Sequence, residues 1–190
     1  MEFLGVDLIW LIEVVGYVGL FAIVFAETGL FLGFFLPGDS LLFIAGFLAG
    51  QGLFHVSWLI VLLCVAAVSG NMAGYEFGKR VGPKLFSRED SLLFKKAHAL
   101  KAQKFYEKHG AKTLFLARFM PIVRTFAPIV AGVAKMEYRA FLWYSAAGAV
   151  VWVAGLTVLG YFLGAQPFVR AHLEQVILLI IFLSILPGLI

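Results

Sequence analysis

Leu114-Phe115-Leu116-Ala117-Arg118-Phe119-Met120-Pro121-Ile122-Val123-Arg124-Thr125-Phe126-Ala127-Pro128-Ile129-Val130-Ala131-Gly132 is apolar enough to lie in lipid, yet it holds two arginines and two prolines. Pro121 and Pro128 preclude one regular helix, because each lacks an amide hydrogen and its ring clashes with the preceding turn. A break of this kind leaves backbone N–H and C=O groups unpaired. Inside a bilayer that is tolerated only where the break is buried in protein or lines a wet cavity. Charge at such depth is expensive: even the mildest scale assigns roughly 2.5–3.5 kcal/mol to an Asp or Arg at the bilayer centre. Arg118 and Arg124 are therefore candidate functional residues.

The first half carries a counterpart of opposite sign. From Val14 to Tyr75 the only charged residues are Glu27 and Asp39, and no lysine or arginine precedes Lys79. The apolar stretch Gly29–Gly50 is interrupted at Pro37-Gly38-Asp39. Neither Gly29–Leu36 nor Ser40–Gly50 can cross roughly 30 Å of hydrocarbon at 1.5 Å per residue. Two short helices around a Pro-Gly break predict a re-entrant hairpin over residues 29–50, and the arginine stretch predicts a second over 114–133. Pro37, Gly38, Pro121 and Pro128 are the expected helix breaks and tips.

Around these stretches the chain reads as a membrane protein. It is 62% hydrophobic and 14% charged over 190 residues, whereas soluble domains are about 45–50% apolar and about 25% charged. Leu8–Ala26, Leu53–Tyr75, Tyr138–Gly164 and Leu173–Ile190 read as full spans. Glycines at 70, 74, 78 and 82 keep one helix face bare for close packing. Met1-Glu2 lacks a basic n-region, so the apolar N-terminal run is expected to be retained, and a short basic tail is expected beyond Ile190. Ten of the fifteen basic residues lie between Lys79 and Lys112. By the positive-inside rule that segment is cytoplasmic, with Ser91–His109 a basic amphipathic surface helix ended by Gly110. A basic run between spans is more simply a topology determinant than a nucleic-acid site.

The expected fold is thus an all-α integral membrane protein. About four full transmembrane helices accompany two re-entrant hairpins in an inverted repeat, with a cytoplasmic amphipathic linker helix. One domain covers 1–190: a first half 1–78, a linker 79–112 and a second half 113–190. Counting spans places the N-terminus, the linker and the C-terminus in the cytoplasm. Hairpins entering from opposite faces are a transporter pattern, with the site where the tips meet. Sequence identity between the halves is weak, Pro37…Ala45-Gly46 against Pro121…Ala131-Gly132, and the repeat rests on hydropathy.

Glu27-x11-Asp39, with Phe35-Leu36-Pro37-Gly38-Asp39, the stretch Gly70-Asn71-x2-Gly74-Tyr75-x2-Gly78-Lys79, and Phe115-x2-Arg118-Phe119-x-Pro121-x2-Arg124-Thr125-x2-Pro128-x2-Ala131-Gly132 resemble the DedA family, the bacterial side of the SNARE-associated or VTT-domain group. The likeness covers nearly the whole chain. It implies two facing re-entrant hairpins and a role in envelope integrity that depends on the proton motive force. Some members are implicated in returning undecaprenyl phosphate across the cytoplasmic (inner) membrane, and eukaryotic relatives scramble phospholipids. The resemblance carries the family's functional acids onto Glu27 and Asp39 and its functional arginines onto Arg118 and Arg124. Two positions depart from the commonest pattern: Asn71, where an acid is frequent, and Ser145, where Asn is frequent.

Chemically, arginine stays protonated and offers a planar fork of donors suited to phosphate. Carboxylates can change protonation state. The expected division is substrate binding by Arg118 and Arg124, aided by the hydroxyls of Thr125 and Ser40, and proton coupling by Glu27 and Asp39. The substrate would be an anionic lipid, undecaprenyl phosphate first. The plainer alternative is a pair of structural salt bridges between the hairpins. Other readings are a proton-coupled small-ion antiporter, a phospholipid scramblase and, less readily, a lipid pyrophosphatase. No nucleophile–base pairing suggests an enzyme. His55, His98, His109 and His172 are scattered, so no metal or cofactor is expected, and the single Cys64 reads as a buried apolar residue. Trp10, Trp58, Trp143 and Trp152 read as packing or interfacial anchors. The partners expected are the bilayer, an anionic lipid and protons, with no nucleic acid. A second copy of the chain is a further candidate partner.

Overall fold

The computed structural model describes residues 2–3, 6–29, 38–85, 104, 106, 108–167, 169, 172 and 175–176. A two-residue strand pair opens the chain, Glu2–Phe3 (β1) against Val6–Asp7 (β2), with Glu2 opposite Asp7. Among the described residues the helices that follow are α1 (Leu8–Gly29), α2 (Gly38–Gly50), α3 (Val56–Leu85), α4 (Lys112–Ala117), α5 (Pro121–Val133) and α6 (Tyr138–Gly164). Among the described residues, two stretches are long and apolar enough to cross a membrane, Val56–Gly82 and Tyr138–Gly164. Leu30–Pro37, most of the basic linker with its predicted helix, and nearly all of the predicted last span lie outside the described residues.

The run 8–26, read above as one uninterrupted span, is instead broken at Gly16, whose φ of 54° and ψ of −153° suit only glycine. The straight part, Val15–Gly29, is about 22 Å long at 1.5 Å per residue. At one end the Tyr17 hydroxyl accepts a hydrogen bond from the His55 amide, just before α3 (2.8 Å). At the other, Gly29 lies against the carbonyl of Gly70, in the middle of α3. α1 therefore runs beside the first half of α3, in the same direction, and stops midway.

The short helices are exchanged between halves. α2 lies on α6, and α5 lies on α3. Both contacts are made by glycines meeting backbone. A side chain on Gly46 would strike the carbonyl of Thr157, and one on Gly160 would strike that of Phe43. In the other half, Gly132 faces the carbonyl of Tyr75 and Gly78 that of Ile129. In all four helices the glycine stands three residues after the carbonyl met by its opposite number. The two crossings have the same construction, and Ala45-Gly46 and Ala131-Gly132 occupy equivalent places in it. Without a hydrophobic driving force between helices in lipid, such close backbone approach is what holds them.

Directions follow from these contacts. α2 runs parallel to α6, since Asp39 meets Trp152 and Phe47 meets Gly164. α5 runs parallel to α3, since Gly74 meets Pro128 and Gly82 meets Val133. α2 starts level with the middle of α3 and ends near its beginning, so α3 and α6 are antiparallel. The larger core surrounds α2: Leu41, Leu42, Phe43 and Ile44 with Leu20, Leu63 and Val153. A smaller one surrounds α5, with Tyr75 stacked on Phe141 at 4.4 Å.

Candidate functional site

The two short helices begin at the same place. α2 starts at Gly38 with Asp39 in its first turn. α5 starts with Pro121 in its first turn, where the missing amide hydrogen costs no helical bond, and Arg124 follows one turn in. The break before α5 falls over Arg118–Met120: Arg118 caps α4, and Met120 is extended. The end of α1 brings in Glu27 from the side. Gly38 permits this, because any side chain there would occupy the position of the Glu27 carboxylate.

Arg124 holds both acids. Its Nη1 lies 2.5 Å from Asp39 Oδ1 and its Nη2 2.8 Å from Glu27 Oε1. Asp39 Oδ1 also accepts the indole N–H of Trp152 at 2.7 Å. Arg118 has no ion pair among the described residues. Its Nη1 donates to Asn71 Oδ1 (2.9 Å), and Asn71 Nδ2 donates to Ser145 Oγ (2.8 Å). Both guanidinium groups lie over the Trp152 ring, with Cζ 4.7 Å (Arg118) and 4.4 Å (Arg124) from its centroid. Glu27 is 1% exposed and Arg118 4%, so both are shielded from bulk solvent.

The structure brings Glu27, Asp39, Arg118 and Arg124 into one cluster. Ser40 and Thr125 are buried at the same helix starts. The Ser40 hydroxyl finds no hydrogen-bond partner among the described residues. Pro37 lies outside the described residues. Pro128 needs correction: it is inside α5, which continues through it to Val133. The helix tolerates it because the proline packs against α3 at Gly74, and only the amide that would have bonded the Arg124 carbonyl is lost.

Trp152 escaped the sequence reading. A signal was available: interfacial tryptophans sit at span ends, as Trp58 and Trp143 do, exposed near the starts of α3 and α6, whereas Trp152 lies mid-helix and buried. Asn71 and Ser145, noted only as departures from a pattern, bond to each other and hold Arg118. Glu76 pairs with Arg80 one turn on, at 3.5 Å and partly in the open, an arrangement worth little. Among the described residues no group of His, Cys, Asp and Glu could hold a metal ion.

This arrangement, a buried charge cluster where interrupted helices meet between two long apolar ones, defines a helical membrane protein with a site inside it. Residues 36–162 match the VTT domain. The chain is 49% identical over 176 residues to Protein DedA of Escherichia coli strain K12, covering 92% of this chain and 80% of that protein. It is 47% identical over 168 residues to an uncharacterized membrane protein of Mycobacterium leprae (88% and 75%), and 37% identical over 172 residues to the inner membrane protein YghB of E. coli strain K12 (90% and 77%). No solved structure matches significantly. The chain belongs to the DedA family of VTT-domain membrane proteins.

Proposed function

We propose that this protein carries an anionic phosphate-bearing lipid across the bacterial inner membrane, with undecaprenyl phosphate as the cargo and protons as the coupling ion. The carrying observation is the buried cluster itself. With all four groups ionised its formal charge is zero. A singly charged phosphate entering it leaves a net negative charge in a low-dielectric site, which is strongly disfavoured. One proton taken up by Glu27 or Asp39 restores neutrality and frees one arm of Arg124 for the incoming oxygen. Loss of that proton re-forms the pair and expels the anion.

In this reading α1–α2 and α4–α5 are re-entrant hairpins from opposite faces of an inverted repeat, supported by the exchanged, identically built crossings and the antiparallel α3 and α6. The basic segment after α3 stays cytoplasmic, as does the C-terminus after a last span. The start of the α1 arm, tied to His55, then lies on the opposite face, not in the cytoplasm as the count of spans above had it. A lipid is favoured over a small ion by the second hairpin, where Leu116, Phe119, Val123 and Phe126 are exposed beside Arg118 and Arg124. A head group can be held while its chain stays in the bilayer.

Lipid transfer in vesicles reconstituted with the purified protein tests this. Undecaprenyl phosphate is expected to cross faster when the loading side is acidic, and Glu27→Gln is expected to abolish that dependence. Equal rates with and without the pH gradient would end the coupling, and no transfer of any phosphate lipid would end the carrier.

A further inference from the structure

The two arginines are not equivalent. Arg124 spends its two terminal nitrogens on two carboxylates. Arg118 spends only Nη1, on a neutral amide, and its Nε and Nη2 are buried without a hydrogen-bond partner among the described residues. Those two nitrogens form one edge of the guanidinium plane, where two parallel N–H groups point the same way. That edge matches two oxygens of a phosphate or carboxylate. A buried cationic donor left unpaired is costly, and here two stand side by side.

The edge is also held in place. Asn71 has its carbonyl oxygen on Arg118 and its NH2 on Ser145, tying the guanidinium to α3 and α6 at once. Trp152 supports its face. Asn71 cannot ionise, so the partner that fixes Arg118 does not itself neutralise it. An acid at position 71 would fix it and neutralise it together.

We propose that the Nε–Nη2 edge of Arg118 is the seat of a single oxyanion, the phosphate of the cargo, and that Asn71 and Ser145 are its positioning residues, with Arg124 serving as the clasp between the acids. This rests on the reading of the protein as a carrier of a phosphate lipid, and it separates the seat from the clasp.

Trp152 gives a local signal. In full-length protein in nanodiscs, with Trp10, Trp58 and Trp143 replaced by Phe, its fluorescence is followed on addition of geranyl phosphate, geraniol or inorganic phosphate. Geranyl phosphate is expected to give a saturable change and geraniol none. Arg118→Lys keeps the charge and loses the fork, and should weaken geranyl phosphate about tenfold. Asn71→Asp should weaken it several-fold, and it decides the matter if the lysine variant does not fold. Wild-type affinity in the folded variants would overturn the proposal. Inorganic phosphate bound as tightly as geranyl phosphate, and equally dependent on Arg118, would keep the seat but assign it to the free ion. Geranyl phosphate bound through Arg118 with no lipid crossing in vesicles would keep the seat and end the carrier. Lipid crossing with unaltered binding in both variants would do the reverse.

Discussion

The two helices that start at the charge cluster are alike in length and construction but differ in surroundings. In α2 every residue from Gly38 to Ala49 is buried, packed between α1, α3 and α6. In α5 the buried Arg124, Thr125 and Ala127 alternate with exposed Val123 and Phe126, and Leu116 and Phe119 add to the exposed side. Asp39 is thus mounted on a helix that is buried all round, and Arg124 on one with an exposed side. One side of the site is a fixture of the core. The other carries an exposed apolar side, so displacing it breaks fewer packing contacts.

The strongest way to break this comparison is to remove the group that joins its two sides. Arg124→Ala leaves Glu27 and Asp39 buried without their cation, a loss of about 3–5 kcal/mol. It should appear as a large drop in the unfolding midpoint of the detergent-solubilised protein. Equal truncations on the two helices sharpen the contrast next. Leu42, fully buried in α2, should cost about 2–5 kcal/mol as alanine. Val123→Ala on the exposed side of α5 should stay within roughly 0.5 kcal/mol. Similar losses at both positions, by the same unfolding measurement, would mean that the two helices are equally enclosed. The smallest of the larger effects belongs to Trp152→Phe, which keeps a ring beneath the guanidinium groups but drops the hydrogen bond to Asp39. A loss of about 1.5 kcal/mol is expected, typical of a bond to a charged group.

Much of this was legible because the decisive residues stand out locally. An acid or arginine in an apolar run is conspicuous without any knowledge of its partner, and Pro-Gly-Asp announces a helix start. What could not be read was pairing over distance. Trp152 is joined to an acid 113 positions away and Asn71 to a serine 74 positions away, and neither contact leaves a trace nearby. Local rules also mislead where tertiary packing overrides them. Pro128 would normally end a helix, yet α3 receives it. The run 8–26 has the composition of a span, yet Gly16 breaks it, and composition does not report a backbone angle.

The exchange of short helices between halves has a consequence for how the chain is made. Residues leave the ribosome in order, so Glu27 and Asp39 enter the membrane before Arg124 has been translated. The surface of α2 that will receive α6, glycines included, is likewise exposed until α6 has been made. The first half therefore waits during biosynthesis with its acids unpaired and one face of α2 uncovered, and it is completed only when α5 and α6 have been made.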